Sequence, residues 1–136
     1  MSAAKPLAVV TGARRGIGAA IAIELAARGF DLAVTDIDAA GADETLAAIE
    51  SRGARARLFA FDLGDIERHA AIMQQIGEWG GPIACLVNNA GIPAVRRGDL
   101  LEVAAASYDH VLDVNLRGTF FFTQAVARHM VATPCA

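Results

Sequence analysis

The turn Thr11-Gly12-Ala13-Arg14-Arg15-Gly16-Ile17-Gly18 does most to limit what this chain can fold into. It follows the apolar run Leu7-Ala8-Val9-Val10, which reads as a buried parallel strand over residues 6–11. It opens into Ala19-Ala20-Ile21-Ala22-Ile23-Glu24-Leu25-Ala26-Ala27-Arg28, a helical stretch over 16–28 that stops at Gly29. Strand, glycine turn and helix together make a phosphate-binding arrangement. Glycine permits the sharp turn and the close approach of a pyrophosphate. The helix N-terminus offers unpaired N–H groups and the positive end of its dipole. The spacing is T-G-x-x-x-G-x-G rather than G-x-G-x-x-G, because Ile21 stands where the third glycine would fall. Taken alone, the turn is also compatible with a tight strand–helix connection that binds nothing.

The rest of the chain alternates in the same way. Strands are expected at about 31–36, 55–61 and 83–87, and helices at about 39–51 and 65–80. The second helix carries Ala42, Leu46 and Ile49 at helical spacing; Asp65 is expected to cap the third, with Ile66, Ala70, Met73 and Ile76 inward. In the third strand, Ala56, Leu58 and Ala60 alternate with Arg55, Arg57 and Phe59. The run Ile83-Ala84-Cys85-Leu86-Val87 is continuously apolar, as a strand covered on both faces should be. A loop over about 91–103 leads to a last helix over 107–130, with Ser107 as its N-cap. Short connections between four strand–helix units imply an α/β fold: a doubly wound parallel sheet with helices on both faces. Right-handed crossovers give the order 3-2-1-4, with a ligand site at the switch point between strands 1 and 4.

Length and composition narrow the function. The 136 residues suit one domain, 1–136, with its own core. The hydrophobic fraction of 54% suggests that more surface is buried than a monomer's core requires. No apolar run approaches the roughly 20 residues of a membrane span. The net charge of −3 argues against nucleic-acid or anionic-membrane partners. Cys85 and Cys135 form no disulfide or metal pattern, so a reducing cytoplasm is the expected compartment. His69, His110 and His129 lack ligand spacing and are expected to be solvated.

Four further features fall at strand ends or in the last helix. Asp36 ends strand 2, where a carboxylate can accept hydrogen bonds from adenosine ribose hydroxyls and would repel a 2′-phosphate. It therefore favours NAD over NADP, although Asp36 could instead cap the next helix. Arg14 and Arg15 pull the other way, since a guanidinium can pair a 2′-phosphate, unless either faces solvent. Asp62, followed by Leu63, ends strand 3, able to accept from an adenine amino group or from N–H groups of its own turn. Asn88-Asn89-Ala90-Gly91 ends strand 4; two amides there need partners, either neighbouring strand ends or a ribose. Asn115 stands inside the last helix, where an amide is a poor helix former, and is expected to bond backbone or to bend the helix.

T-G-x-x-x-G-x-G at 11–18, Asp62, N-N-A-G at 88–91 and Asn115 together resemble the short-chain dehydrogenase/reductase family, over about residues 7–130. The form of the glycine turn is similar to the 3-oxoacyl-acyl-carrier-protein reductase branch. The resemblance implies an NAD(P)-dependent oxidoreductase acting between an alcohol and a ketone. It implies that Gly12, Arg15, Gly16, Ile17 and Gly18 hold the pyrophosphate side of the cofactor. Asp36 and Ile37 would flank the adenosine, Asp62 and Leu63 the adenine, and Asn89, Ala90 and Gly91 the ribose and nicotinamide. Asn115 would be the family's catalytic asparagine, holding a water in a proton relay that runs through a lysine to a tyrosine.

The family's Tyr-x-x-x-Lys is absent. The single tyrosine is Tyr108, with Leu112 four residues on, and the single lysine is Lys5. The expectation is an enzyme seen without its fifth strand and the residues beyond; the alternative is a non-catalytic nucleotide-binding or interaction module. The last helix, with Val111, Leu112, Val114, Leu116, Phe120, Phe121, Phe122, Val126 and Met130, is apolar nearly all round. One face would cover the sheet and the other a subunit interface, and the resemblance implies a homo-tetramer through 107–130.

Overall fold

The computed structural model describes residues 4–136. Strand β1 (Leu7–Thr11) leads through the glycine turn into α1 (Gly16–Ala27), followed by β2 (Asp31–Asp36) and α2 (Asp43–Glu50). Then come β3 (Ala56–Ala60), a 3₁₀ turn (Ile66–Arg68), α3 (His69–Gly80) and β4 (Ile83–Val87). A second 3₁₀ turn (Leu100–Glu102) precedes α4 (Ala105–Leu112), a π turn (Asp113–Gly118) and α5 (Thr119–Ala132). The sheet order is β3-β2-β1-β4, and every pairing is parallel. The expected doubly wound sheet is present. Among the described residues no helix is long and apolar enough to cross a membrane.

Alternation along the strands divides the core in two. Ala8 and Val10 of β1 meet Leu32 and Val34 of β2 on one face, under Ala22 and Ala26 of α1 and Ile49 of α2. Leu7, Val9 and Ala33 face the other way, with Phe59, Phe61, Ile72, Ile76, Phe122 and Val126. Small residues let α1 lie close to the sheet: its buried positions are Gly18, Ala19, Ala22 and Ala26. The second face is filled by large rings. Phe122 is fully buried, with its ring 5.3 Å from that of Phe61.

Several local expectations are corrected. Helix α2 starts at Asp43, not 39, because Asp38 accepts the Ala40 N–H in a turn of its own; Thr45 joins Ala42 and Ile49 on the buried face, and Leu46 is half-buried. Asp65 makes no side-chain cap. Helix α3 buries Met73 and Ile76 as expected, together with His69 and Ile72, while Ala70 is exposed and Ile66 is half-buried in the 3₁₀ turn. In β3 the deeply buried residue is Phe59, and Ala60 is exposed. Ser107 is not a cap: Ala104 holds that position and the helix begins at Ala105. Strand β4 is an edge of the sheet, with Ala84 exposed. In the long helix Phe122 and Val126 face the core, as expected of its inner face, while Leu116 and Phe120 on the outer face are exposed.

His69 is buried rather than solvated, with Nε2 2.9 Å from the Leu63 carbonyl oxygen. His129 is half-buried, with Nε2 3.2 Å from the Gly81 carbonyl, and only His110 is exposed.

Phe122 is the most demanding position in the second core. Phe122→Ala should lower the unfolding free energy by about 3–5 kcal/mol, read from the urea midpoint at unchanged slope.

Candidate dinucleotide site

A knot of hydrogen bonds joins the ends of β1 and β4. The Thr11 hydroxyl accepts the N–H groups of Asn89 and Ala90, each at 3.0 Å, and donates to the Val87 carbonyl at 3.5 Å. The Asn89 side-chain amide donates to the carbonyls of Thr11 and Gly12, each at 3.1 Å. The Asn88 amide donates to the Thr123 hydroxyl of α5 at 2.9 Å. Both asparagines therefore brace neighbouring elements, which answers the cost of placing amides at the end of an apolar strand.

The knot presses the two turns together. Gly12 has φ +64°, and a Cβ built there would lie 2.8 Å from the Ala90 Cα. Gly18 is buried behind the turn, where a Cβ would overlap the Gly12 carbonyl and lie 2.5 Å from the Asn89 amide nitrogen. Gly16, at φ +62°, differs: a Cβ there would meet nothing within 4 Å, so open space lies above it. The first turn of α1 has no side-chain cap and no acidic residue, leaving its N–H groups available to an anion.

These turns line a cleft of about 450 Å³ along the carboxyl edge of the sheet. Gly12, Arg15, Gly16, Asp36, Ile37, Asp62, Leu63, Asn89, Ala90 and Gly91 all line it. Ile17 and Gly18 do not: the Ile17 side chain is 76% exposed, and Gly18 packs the turn from behind. Asn115 is exposed and lies outside the lining. Its side chain is taken up by the backbone of one residue, accepting the Ile92 N–H and donating to the Ile92 carbonyl, both at 2.8 Å. The helix carrying it passes through the π turn at that point.

The charged groups are arranged with one arginine tied down. Asp36 accepts the Arg14 backbone N–H at 3.2 Å and the Ile37 N–H at 2.8 Å. The Arg14 Nε lies 3.4 Å from Asp36 and its Nη1 lies 3.5 Å from Asp38, while Nη1 donates to the Ala40 carbonyl at 2.7 Å. Arg14 therefore does not face solvent; Arg15 does. Asp62 accepts the Gly64 N–H of its own turn at 2.9 Å, and it also lines the cleft.

Sequence reasoning missed Thr35, Phe61, Ile92, Pro93, His110 and Val114 in the lining. Thr35 and Phe61 adjoin Asp36 and Asp62, so both were within reach of the strand-end argument. His110 and Val114 are four residues apart and share a helix face, which becomes informative only once that helix is placed over the cleft.

Residues 6–134 match the short chain dehydrogenase family. The 2-dehydro-3-deoxy-D-gluconate 5-dehydrogenase of Dickeya dadantii is 33% identical over 125 residues, covering 92% of this chain and 48% of that protein. The crystal structure of a 3-oxoacyl-[acyl-carrier protein] reductase from Brucella melitensis, in complex with NAD, is 44% identical, with a TM-score of 0.92. The alignment covers 99% of this chain and 53% of that one. A metagenomic short-chain oxidoreductase in complex with NADP is 35% identical, with a TM-score of 0.86, over 93% of this chain and 56% of that one. The chain spans about half the length of the curated relatives it matches. With this sheet order, this glycine turn and these similarities, the chain belongs to the short-chain dehydrogenase family.

Proposed function

We propose that this chain forms the dinucleotide-binding part of an NAD(H)-dependent oxidoreductase that interconverts an alcohol and a ketone. The nicotinamide cofactor supplies the hydride acceptor or donor, and the protein supplies binding and orientation. The N–H groups at the start of α1, above the open space at Gly16, take the pyrophosphate. Asp36 and Ile37 flank the adenosine ribose, Asp62 and Leu63 the adenine, and Asn89, Ala90 and Gly91 the nicotinamide-side ribose. Ile17 and Gly18 serve by shaping the turn. Asn115 contributes by holding the backbone of Ile92, next to Gly91.

The observation that carries the preference for NAD is the state of Arg14. A 2′-phosphate needs a free cation, and the Arg14 guanidinium is already engaged by Asp36, Asp38 and the Ala40 carbonyl. That leaves the Asp36 carboxylate where the phosphate would have to sit. Arg15 favours the second reading, NADP, because its side chain is exposed at the cleft and free to turn toward a phosphate. Titration of the protein with NADH and NADPH decides between them, and tighter NADPH binding overturns the preference. Asp36→Ala should lower the NADH-over-NADPH affinity ratio by about tenfold or more, since two charges ~4 Å apart near a protein surface interact by several kcal/mol in water-screened surroundings.

The chain carries no Tyr-x-x-x-Lys: Tyr108 lies 60% exposed on α4, and Lys5 donates to the Gly53 carbonyl near the opposite edge of the sheet. The 136-residue chain should therefore bind NADH, seen as a change in its fluorescence, yet reduce no ketone. Turnover by this chain alone would overturn the reading that proton transfer needs a Tyr-x-x-x-Lys pair. Absence of binding would favour the interaction-module reading.

The outer face of the last helix supports a homo-oligomer, a tetramer by the family resemblance. Leu116 and Phe120 are 64% and 62% exposed, and solvent contact with such side chains is unfavourable. Phe120→Glu should shift the protein to a smaller species in light scattering coupled to size exclusion; an unchanged mass removes this helix from any interface.

A further inference from the structure

We propose that His69 is a positioning residue for the adenine side of the cleft. Its imidazole holds the Leu63 carbonyl, and with it residues 61–64, against the π turn of the long helix. The inference rests on the dinucleotide reading and names a residue which that reading does not use.

His69 is 3% exposed, and its ring meets Phe61 and Phe122 edge-on at 5.8 and 5.3 Å. Its Nε2 lies 2.9 Å from the Leu63 carbonyl oxygen. A carbonyl oxygen only accepts, so Nε2 carries the hydrogen of this bond. Nδ1 is then a bare lone pair, buried and without a partner. An apolar side chain would fill the same space without burying a polar atom. What the imidazole adds is direction, one N–H aimed at one carbonyl.

The same carbonyl is met by a second element. A Cβ on Gly118, the last residue of the π turn, would overlap the Leu63 oxygen and lie 2.9 Å from its carbonyl carbon. Gly64 rests on that turn as well, since a Cβ there would lie 3.2 Å from the Val114 Cγ2. The Leu63 peptide is therefore clasped between α3 and the π turn. Phe61, Asp62, Leu63 and Val114 all line the cleft, whereas His69 does not, so His69 acts through Leu63. If the carbonyl swings, the Asp62 and Leu63 wall moves with it, and displacements of about 1 Å are enough to weaken a positioned contact.

The test compares wild type, His69→Leu and His69→Gln by titration with NADH, with ADP, and with reduced nicotinamide mononucleotide, which lacks the adenine half. His69→Leu should bind ADP and NADH about tenfold more weakly and reduced nicotinamide mononucleotide as wild type does. His69→Gln, whose amide N–H reaches near the place of the imidazole Nε2, should recover most of the loss. A side chain that mattered only for packing would give no such rescue. Unchanged ADP affinity in His69→Leu overturns the inference, as does an equal loss for all three ligands. If His69→Leu does not fold, Gly118→Ala presses on the same carbonyl from the π turn and should give the same split between ligands. A wild-type protein that binds none of the three overturns the dinucleotide reading itself; binding by wild type with no change in either variant overturns only the role of His69.

Discussion

The hydroxyl of Thr11 is the contact on which the site depends. A hydroxyl has one hydrogen and two lone pairs, and Thr11 uses all three, on Val87, Asn89 and Ala90. These groups lie at the ends of adjacent parallel strands, where the ladder runs out and backbone polar groups would otherwise need water. Because Thr11 is buried, each bond is strengthened by its surroundings, and each would be unfavourable to leave unmade. The knot holds Gly12 against Ala90 and so sets the floor of the cleft. Asn89 ties the same two turns a second time.

The charged groups along the cleft differ in how far they are already paired. Arg14 and Arg15 are neighbours in sequence and opposites in environment. The Arg14 side chain lies mostly buried against Asp36, and its backbone carbonyl accepts from the Thr45 hydroxyl at 2.8 Å, so it is anchored at both ends. Arg15 has no such anchor. The pairing lowers the net charge that Asp36 presents, yet leaves its carboxylate as the group that meets whatever reaches the end of β2.

The long helix serves the cleft at two points, and the π turn connects them. Asn115 holds Ile92 in the loop after β4, while Gly118 and Val114 receive the segment after β3. A regular α-helix has a fixed angular interval between residues 114, 115 and 118; widening one turn changes it. The strand-end loops on either side of the cleft are thus referred to a single element.

Residue types that are informative by chemistry alone were legible in the chain. The glycine turn, the acids after β2 and β3 and the amides after β4 are short-range patterns. Alternating strand and helix periods then place them on one edge of one sheet, because parallel crossovers allow little else. Other features depended on contacts between residues distant in sequence. On α3 the sequence pattern placed Met73 and Ile76 inward correctly, but that His69 rather than Ala70 joins them was settled by packing against Phe61 and Phe122. That the Arg14 side chain is bound while Arg15 is exposed, or that the Asn115 amide meets the backbone of Ile92, depends on where Asp36, Asp38 and Ile92 come to lie. Sequence by itself determined the fold class and the edge at which chemistry gathers, since both rest on local periodicity. Only the tertiary structure decided which polar groups remain available there, because that depends on partners brought together from across the chain.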